Sequence, residues 1–205
     1  MNGTTRNTEN SPVVAGLLLA AGGGRRLGGR PKALLRHRGG PLVEHAAGAL
    51  RAGGCDPVHV VLGAAAQEVR ARADLTGCAI VDNPGWERGM GSSLVAGLAS
   101  LPPYADAALV LLVDQPGIGA AAVARVRRAA LDAGRAALAA ACYDGVRGHP
   151  VLLGAAHWPG VARSATGDRG ARAYLLTRPT LALVECGDIA TPSDVDTPDD
   201  LHHLE

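Results

Sequence analysis

Uninterrupted apolar runs alternate along the chain with segments of helical periodicity. Residues 13–20 (VVAGLLLA) and 108–113 (ALVLLV) carry no polar side chain, which is typical of strands buried on both faces of a parallel sheet. Between them, apolar positions at helical spacing that end before two glycines predict a helix over 41–52, and the run VHVVL predicts a strand over 58–62. The first half of the chain therefore contains a strand–helix–strand unit.

The same alternation continues to the end of the chain. Further helices are predicted at 67–73, 92–100, 120–133, 170–177 and 198–204, strands at 79–81 and 181–184, and other apolar or extended stretches at 136–142 and 150–153. Such alternation predicts an α/β domain with a mostly parallel central sheet covered by helices on both faces. Since no repeat or long linker interrupts it, residues 12–205 are interpreted as one domain and 1–11 as a disordered tail.

The composition narrows the classes of function. A length of 205 residues and a hydrophobic fraction of 47% are enough for one full core. The net charge of +1 and the aromatic fraction of 2% argue against nucleic acid, and any bound base is expected to be held by backbone groups. The four cysteines are isolated, and no segment has the pattern of a signal peptide or a membrane span, so we expect no membrane partner and a cytoplasmic location.

A glycine-rich segment, residues 19–32 (LAAGGGRRLGGRPK), follows the first buried strand directly. In open α/β sheets ligands bind beyond the carboxyl ends of the strands, and glycines there let backbone N–H groups approach an anion. The basic residues of the segment could neutralise a polyphosphate; they are Arg25, Arg26, Arg30 and Lys32. The position and the composition together predict an anion site.

Two common phosphate-binding motifs do not fit the segment. A dinucleotide fingerprint would need a third glycine where Leu27 stands and a ribose-binding acid after the strand that ends at Leu62. A P-loop would need a hydroxyl residue after Lys32, where the chain has Ala33. A flexible surface turn in a chain with 28 glycines is the alternative, but the arginines directly after a buried strand favour anion binding.

The segment resembles the LAAGxSxRMGxPK signature of the molybdenum cofactor nucleotidyltransferase family, in its cytidylyltransferase branch. It differs by Gly24 in place of serine, Leu27 in place of methionine, and one additional residue before Pro31. The resemblance implies a single-domain, Rossmann-like nucleotidyltransferase fold of the GT-A type. It also implies Mg²⁺-dependent transfer of CMP from CTP to a molybdopterin-type cofactor, with release of pyrophosphate.

The resemblance also assigns roles within the segment. The nucleotide would be held by Leu19, Ala20, Ala21, Gly22, Gly23 and Gly24, and the charge on departing pyrophosphate would be offset by Arg26 and Lys32. The cytidine branch carries LAAG where the guanine branch carries LAGG, so Ala21 favours CTP over GTP through the size of the base pocket.

Two aspartate-containing segments are candidates for metal and acceptor binding. Asp114 follows the strand predicted at 108–113, where a carboxylate can begin a Mg²⁺ site, although a turn or capping role is equally open from its position alone. Its string LVDQP resembles the metal-binding motif of the family. Asp194 and Asp196 lie in a stretch similar to the family's DIDTPEDL, near the second substrate, and Asp196 is either a second metal ligand or a helix cap.

Further segments resemble parts of the family's binding sites. The similarity of residues 83–94 to NxxWxxGMxxSL implies that Asn83 and Ser93 line the nucleotide pocket, although a serine there could simply cap a helix. His149 and Asp168 lie in stretches similar to RGHPV and GDxG on the pterin-binding side, although a histidine before proline is otherwise an ordinary loop residue. An enzyme that receives the finished cofactor would be a protein partner.

Three rival functions stay open from the sequence. A nucleotidyltransferase of the same fold could use GTP, or another phosphorylated acceptor such as a sugar phosphate. An NAD(P)H-dependent reductase could hold its cofactor in the same loop, although the missing third glycine argues against it. A nucleotide-binding chaperone could keep the pocket without turnover.

Overall fold

The computed structural model describes residues 11–129 and 131–204, so the tail predicted at 1–11 lies outside the described residues except for Ser11. The strands are β1 Val14–Ala20, β2 Arg36–His37, β3 Gly40–Pro41, β4 Val58–Leu62, β5 Cys78–Asp82, β6 Ala107–Leu112, β7 Leu138–Tyr143, β8 Val146–Gly154 and β9 Ala182–Glu185. The α-helices are α1 Leu42–Ala52, α2 Ala66–Arg72, α3 Met90–Ser100, α4 Ala120–Ala129, α5 Trp158–Ser164 and α6 Arg172–Leu176. Short 3₁₀ helices connect several of these elements.

The central sheet has seven strands in the order β5-β4-β1-β6-β8-β7-β9, and β2 pairs only with β3 in a small separate hairpin. β1 lies between β4 and β6 and is parallel to both, with Leu19 opposite Val61 on one side and Leu112 on the other. β8 is antiparallel to both of its neighbours, whereas β7 and β9 are parallel to each other. The sheet is therefore mostly parallel, as predicted.

Both faces of the sheet are buried, because successive side chains of a strand point to opposite faces. From β1, Leu18 packs with Leu42 and Leu50 of α1, on the face that α4 also covers. On the other face Leu17 packs with Leu94 and Leu98 of α3, and α5 joins them there. A single α/β domain with helices on both faces is thus confirmed.

Two predicted helices differ from the observed ones, and local bonding explains both. The helix predicted at 120–133 ends at Ala129, and a 3₁₀ segment follows in which Gly134 has a positive φ of 49° that interrupts helical geometry. The predicted terminal helix is a 3₁₀ helix, Pro198–Leu204. There the Asp200 carboxylate accepts hydrogen bonds from the backbone N–H groups of Asp196 and Thr197, which tightens the turn that precedes the helix.

Among the helices in the described parts of the chain, none combines the length and the apolar character that a membrane span requires.

Candidate active site

The glycine-rich segment leaves β1 at the carboxyl edge of the sheet and folds back on itself at Gly24. The Gly24 carbonyl accepts hydrogen bonds from the N–H groups of Leu27 (2.8 Å) and Gly29 (3.0 Å). Gly24 has a φ of 59°, and a Cβ atom there would lie only 1.9 Å from the carbonyl oxygen of Arg30. The turn therefore requires glycine at this position, which explains why the serine of the family signature is absent.

The additional residue before Pro31 is absorbed by a second glycine turn. Gly28 and Gly29 both have positive φ angles, 69° and 80°, a conformation in which two consecutive residues with side chains would be strained. The chain then enters the 3₁₀ helix Lys32–Leu34. The insertion thus lengthens the turn without removing Lys32 from the site.

Lys32 joins two carboxylates that come from distant parts of the chain. Its Nζ donates a hydrogen bond of 2.7 Å to Asp114 and a second one to Asp196. Burial lowers the pKa of Lys32, but the charges and hydrogen bonds of the two carboxylates outweigh this effect and raise the pKa above its ordinary value. The lysine is therefore a cation throughout the neutral pH range.

The C-terminal segment is fixed beside β6 by backbone bonding and burial. The N–H of Val195, a fully buried residue, donates a 2.8 Å hydrogen bond to the Asp114 carbonyl. This contact brings Asp196 to Lys32 and within 3.4 Å of the Arg26 guanidinium. It also places Asp194 next to Gln115, whose amide donates to the Asp194 carboxylate at 2.7 Å.

The carboxylates lie close enough to affect one another. Burial, together with the negative charge of Asp114, raises the pKa of Asp194 above the usual value for aspartate. Within residues 11–129 and 131–204, no cluster of three or more His, Cys, Asp or Glu side chains is arranged to hold a metal ion. Two carboxylates, Asp114 and Asp196, still fit Mg²⁺, because this ion commonly takes one or two carboxylates and completes its shell with water and substrate phosphate oxygens.

A cavity of about 510 Å³, here called the loop cavity, opens over the glycine-rich segment. The charged residues of its lining are Arg25, Arg26, Lys32, Asp114, Asp168, Asp194 and Asp196. Another part is apolar or weakly polar and consists of Leu19, Ala21, Trp86, Met90 and Ser93. The cavity can therefore accept a ligand with one polyanionic end and one uncharged end.

A larger cavity of about 810 Å³ lies beside it over β6 and β8. We call it the arginine-rimmed cavity, because its lining includes Arg147, Arg169, Arg172 and Arg178 around an apolar floor. The two cavities share Leu19, Met90, Leu112, Asp168 and Asp194. A group bound in one is therefore next to a group bound in the other.

The arginine-rimmed cavity also contains His149. Burial of the ring lowers the pKa of His149 to about 4, with a smaller opposing contribution from the negative charge of Asp114. Burial and the neighbouring charge of Arg172 lower the pKa of Arg147 as well. At neutral pH the cavity therefore presents an uncharged imidazole among cationic side chains.

The structure brings most of the predicted site residues together. The loop cavity is lined by Leu19, Ala21, Gly22, Gly23, Gly24, Arg26, Lys32, Ser93, Asp114, Asp168, Asp194 and Asp196, and the arginine-rimmed cavity by His149, Asp168 and Asp194. Two described residues predicted to bind nucleotide line neither cavity, and both predictions need correction. Ala20 points to the opposite face of the sheet from Leu19 and packs in the core there, because side chains alternate along β1.

Asn83 is the second correction, since it positions other groups of the site. It is buried, and its amide nitrogen donates to the hydroxyls of Ser92 (2.9 Å) and Ser93 (3.0 Å). Its side-chain oxygen accepts a hydrogen bond from the N–H of Gly85. Asn83 thus connects the end of β5 to the beginning of α3 and orients Ser93.

Some cavity residues were missed by the sequence reasoning. Trp86 and Met90 line the loop cavity, and Arg147, Arg169, Arg172 and Arg178 line the second cavity, although none of these residues was predicted as a site residue. The low aromatic content had suggested that backbone groups alone would hold a base. One signal was available, because Trp86 is one of only two tryptophans and directly follows the end of a strand at the ligand-binding edge of the sheet.

Comparisons with known proteins show similarity to two kinds of curated protein. A nicotine blue oxidoreductase of Paenarthrobacter nicotinovorans is 45% identical over 94% of this chain and 97% of its own length. A probable molybdenum cofactor guanylyltransferase of Opitutus terrae is 38% identical over 60% of this chain and 58% of its own.

Solved structures show the same architecture. A homologue of Mycobacterium tuberculosis Rv0371c, from Mycobacterium sp. strain JC1, superposes with a TM-score of 0.78 at 33% identity over 93% of this chain and 94% of that one. Rv0371c in complex with manganese gives a TM-score of 0.76 at 27% identity over 94% and 97%. Because the family described as MobA-like NTP transferase domain also matches residues 16–181, this chain belongs to the MobA-like NTP transferase family.

Proposed function

We propose that this protein transfers CMP from CTP to a molybdenum–molybdopterin cofactor and releases pyrophosphate. The observation that carries the proposal is the meeting of the glycine-rich segment, Lys32, Asp114 and Asp196 in one cavity. Nucleotidyl transfer depends mainly on positioning and on neutralising phosphate charge. These residues offer a backbone cradle, a cation and a pair of hard oxygen ligands, which are the groups that the reaction needs.

The proposed metal ion is Mg²⁺, held by Asp114 and Asp196. When bound there, it would supply positive charge to the phosphate oxygens of the nucleotide. The manganese complex of the related Rv0371c supports a divalent ion in this family.

Lys32 and Arg26 are proposed to stabilise the leaving group. Lys32 is held as a cation by its two carboxylate partners, and a triphosphate that enters the cavity would offer the ammonium group new anionic partners. The loop backbone from Ala21 to Gly24 would hold the β- and γ-phosphates. The cationic side chains would then oppose the charge that builds up on pyrophosphate as it departs.

The acceptor is proposed to occupy the arginine-rimmed cavity. An oxygen of its terminal phosphate would form a bond to the α-phosphorus of CTP while the bond between that phosphorus and the bridging oxygen to the β-phosphate breaks. The acceptor oxygen is already anionic, so this step needs no strong general base. The neutral imidazole of His149 can donate a hydrogen bond, and the arginines offset the acceptor's charge.

CTP is proposed over GTP because of Ala21, whose side chain narrows the cavity relative to a glycine. The similarity to a probable molybdenum cofactor guanylyltransferase supports GTP as the alternative. A cytoplasmic location belongs to the same proposal, since all four cysteines are free. The protein partner would be the molybdoenzyme that receives the product.

The proposal is tested by measuring pyrophosphate release from CTP, GTP, ATP and UTP, each with Mg²⁺ or Mn²⁺ and purified molybdenum–molybdopterin. We expect release with CTP that depends on both the acceptor and the metal ion. Equal release without acceptor, or none with any nucleotide, would contradict it.

A second candidate is an NAD(P)H-dependent reductase. The similarity to nicotine blue oxidoreductase, which extends over nearly the whole of both chains, favours it. In this alternative the apolar floor of the arginine-rimmed cavity would hold an organic electron acceptor. The test is oxidation of NADH or NADPH in the presence of a quinonoid dye, with and without EDTA. Metal-independent oxidation together with no pyrophosphate release would favour the reductase.

A further inference from the structure

The geometry points to Trp86 as the wall against which the nucleotide base stacks. This inference rests on the proposed nucleotide-binding function of the loop cavity. Trp86 lines that cavity beside Ala21 and Gly23, and it is partly exposed.

The indole ring is pressed against two glycines. A Cβ atom on Gly23 would lie 3.0 Å from Cη2 of Trp86, and one on Gly63 would lie 2.5 Å from Trp86 Cβ and 2.9 Å from the Cβ of Ala21. Contacts this short leave no room for a side chain at Gly63. Gly63 therefore lies between Ala21 and Trp86, and the absence of a side chain at Gly23 and Gly63 lets the tryptophan approach the phosphate loop.

The backbone on both sides of the ring is anchored. The N–H of Trp86 donates to the carbonyl of Asn83 (3.2 Å), and the Trp86 carbonyl accepts from the N–H of Gly89 (3.0 Å). Asn83 is in turn buried and bonded to Ser92 and Ser93 at the beginning of α3. The backbone that carries the ring is thus held in place, and an ordered backbone lowers the entropy cost of stacking a ligand on the ring.

The position of the charged residues in the loop cavity indicates which part of a nucleotide would lie against Trp86. The charged lining around Lys32, Asp114 and Asp196 suits the triphosphate and a metal ion, and the side chains there contact one another directly. Trp86 packs against Gly23 and Gly63, so it borders the loop whose backbone is proposed to hold the β- and γ-phosphates. A nucleotide whose phosphates run along this loop toward Lys32 would have its base within reach of Trp86, where an aromatic face can stack on any base.

The other tryptophan provides a matched control. Trp158 is a described residue outside the lining of both cavities, and its indole nitrogen donates to the Leu153 carbonyl at 2.9 Å. The variant Trp158→Phe leaves Trp86 as the only tryptophan, and Trp86→Phe leaves only Trp158. Each variant reports on one ring by its fluorescence.

The experiment titrates both variants with CTP–Mg²⁺ and, separately, with inorganic tripolyphosphate–Mg²⁺. We expect CTP to quench Trp86 strongly in the Trp158→Phe variant, tripolyphosphate to leave that emission nearly unchanged, and neither ligand to affect Trp158 in the Trp86→Phe variant. Calorimetry on Trp86→Ala should show CTP binding weaker by about ten- to a hundredfold, which is the usual range for a lost base–aromatic stack, and unchanged tripolyphosphate binding. Trp86→Phe should retain most of the CTP affinity.

Other results would overturn the inference. If Trp86→Ala and Trp86→Phe bind CTP as the wild type does, or lose CTP and tripolyphosphate affinity equally, Trp86 only supports the loop. The fluorescence titration of Trp158→Phe leaves Trp86 intact, so it keeps the test decisive even if Trp86→Ala fails to fold: CTP must quench Trp86, and equal quenching by tripolyphosphate would overturn the inference. If the wild-type protein binds every nucleotide no more tightly than tripolyphosphate, the base makes no contact with Trp86. The cavity would then still be an anion site. If it binds neither ligand, the proposed function fails as well.

Discussion

The loop cavity and the arginine-rimmed cavity are adjacent but are built in different ways. The phosphate side of the loop cavity comes largely from one continuous segment, residues 19–32, to which Asp114 and Asp196 are added. The arginine-rimmed cavity is assembled from β6, β8, the segment 168–172, α6 and the strand β9. A site made from one continuous segment can be recognised in the sequence as a motif. A site made from many short pieces becomes visible only once the chain is folded.

The two cavities also differ in chemistry. Carboxylates and a lysine meet in the loop cavity, which is suited to a metal ion and phosphates. The other cavity combines arginines with an apolar floor, and its apolar lining extends to the surface, where Val146 and Leu176 are 70% and 71% exposed. This difference predicts that each cavity can be impaired separately: variants of the first should affect nucleotide chemistry, and variants of the second should affect the acceptor.

The largest effect is expected from Asp114→Asn. Removal of one carboxylate charge from the proposed metal site should lower kcat for pyrophosphate release by about 10²–10³-fold, the usual loss when one preorganised electrostatic contact is removed. Asp82→Asn is the control, because Asp82 lies at the end of a strand but is exposed and forms an ion pair with Arg70. Steady-state kinetics on both variants provides the measurement, and an equal loss in both would argue against a specific role for Asp114.

A large effect is also expected from Gly24→Ala. The new Cβ would collide with the Arg30 carbonyl, whereas at Gly28, which also has a positive φ, nothing lies within 4 Å. Gly24→Ala should therefore lower the free energy of unfolding by about 1–3 kcal/mol more than Gly28→Ala, and should weaken CTP binding. Urea denaturation and calorimetry measure the two effects, and equal destabilisation by both variants would show that backbone strain alone is responsible.

An intermediate effect, confined to the second cavity, is expected from Arg147→Ala. Loss of a charge-assisted hydrogen bond should raise KM for the acceptor about tenfold and leave the Kd of CTP unchanged. Arg163→Ala is the control, because Arg163 is exposed on α5 and outside the lining of both cavities. A parallel loss of CTP affinity in Arg147→Ala would mean that the two cavities are not separable.

The smallest effect concerns the pH dependence of stability. Burial holds the pKa of His149 at about 4, below its ordinary value of 6.5, so between these values the unfolded chain binds more protons than the folded protein. The free energy of unfolding should therefore fall as the pH is lowered through this window. His149→Gln should reduce that fall, as measured by urea denaturation at several pH values, although His45 and His59, whose pKa values are also lowered by burial, contribute in the same direction. An unchanged pH profile in the variant would show that His149 does not contribute.

The difference between the two cavities also explains which features of the structure could be predicted from the sequence and which could not. The buried strands at 13–20 and 108–113 were recognised because a parallel strand covered on both faces is continuously apolar, and the phosphate loop because its glycines and basic residues are contiguous. The reversed direction of β8 leaves no trace in a segment of similar composition. Trp86 was missed because its contact with Gly23 and Gly63 joins three separate stretches of chain. Asn83 was predicted to line the cavity because it lies in a motif. A motif shows which residues recur, but it does not show whether a side chain contacts the ligand or the neighbouring protein.

The most direct test of the account follows the phosphorus atoms of CTP. CTP labelled at the α-phosphate, incubated with the protein, Mg²⁺ and molybdenum–molybdopterin, should transfer its label to the acceptor, whereas label at the γ-phosphate should leave in pyrophosphate. Asp114→Asn should slow the appearance of both signals by the same factor, about 10²–10³-fold. Absence of α-label in the acceptor, together with oxidation of NADH or NADPH in the presence of a quinonoid dye by the same preparation, would contradict nucleotidyl transfer and favour the reductase.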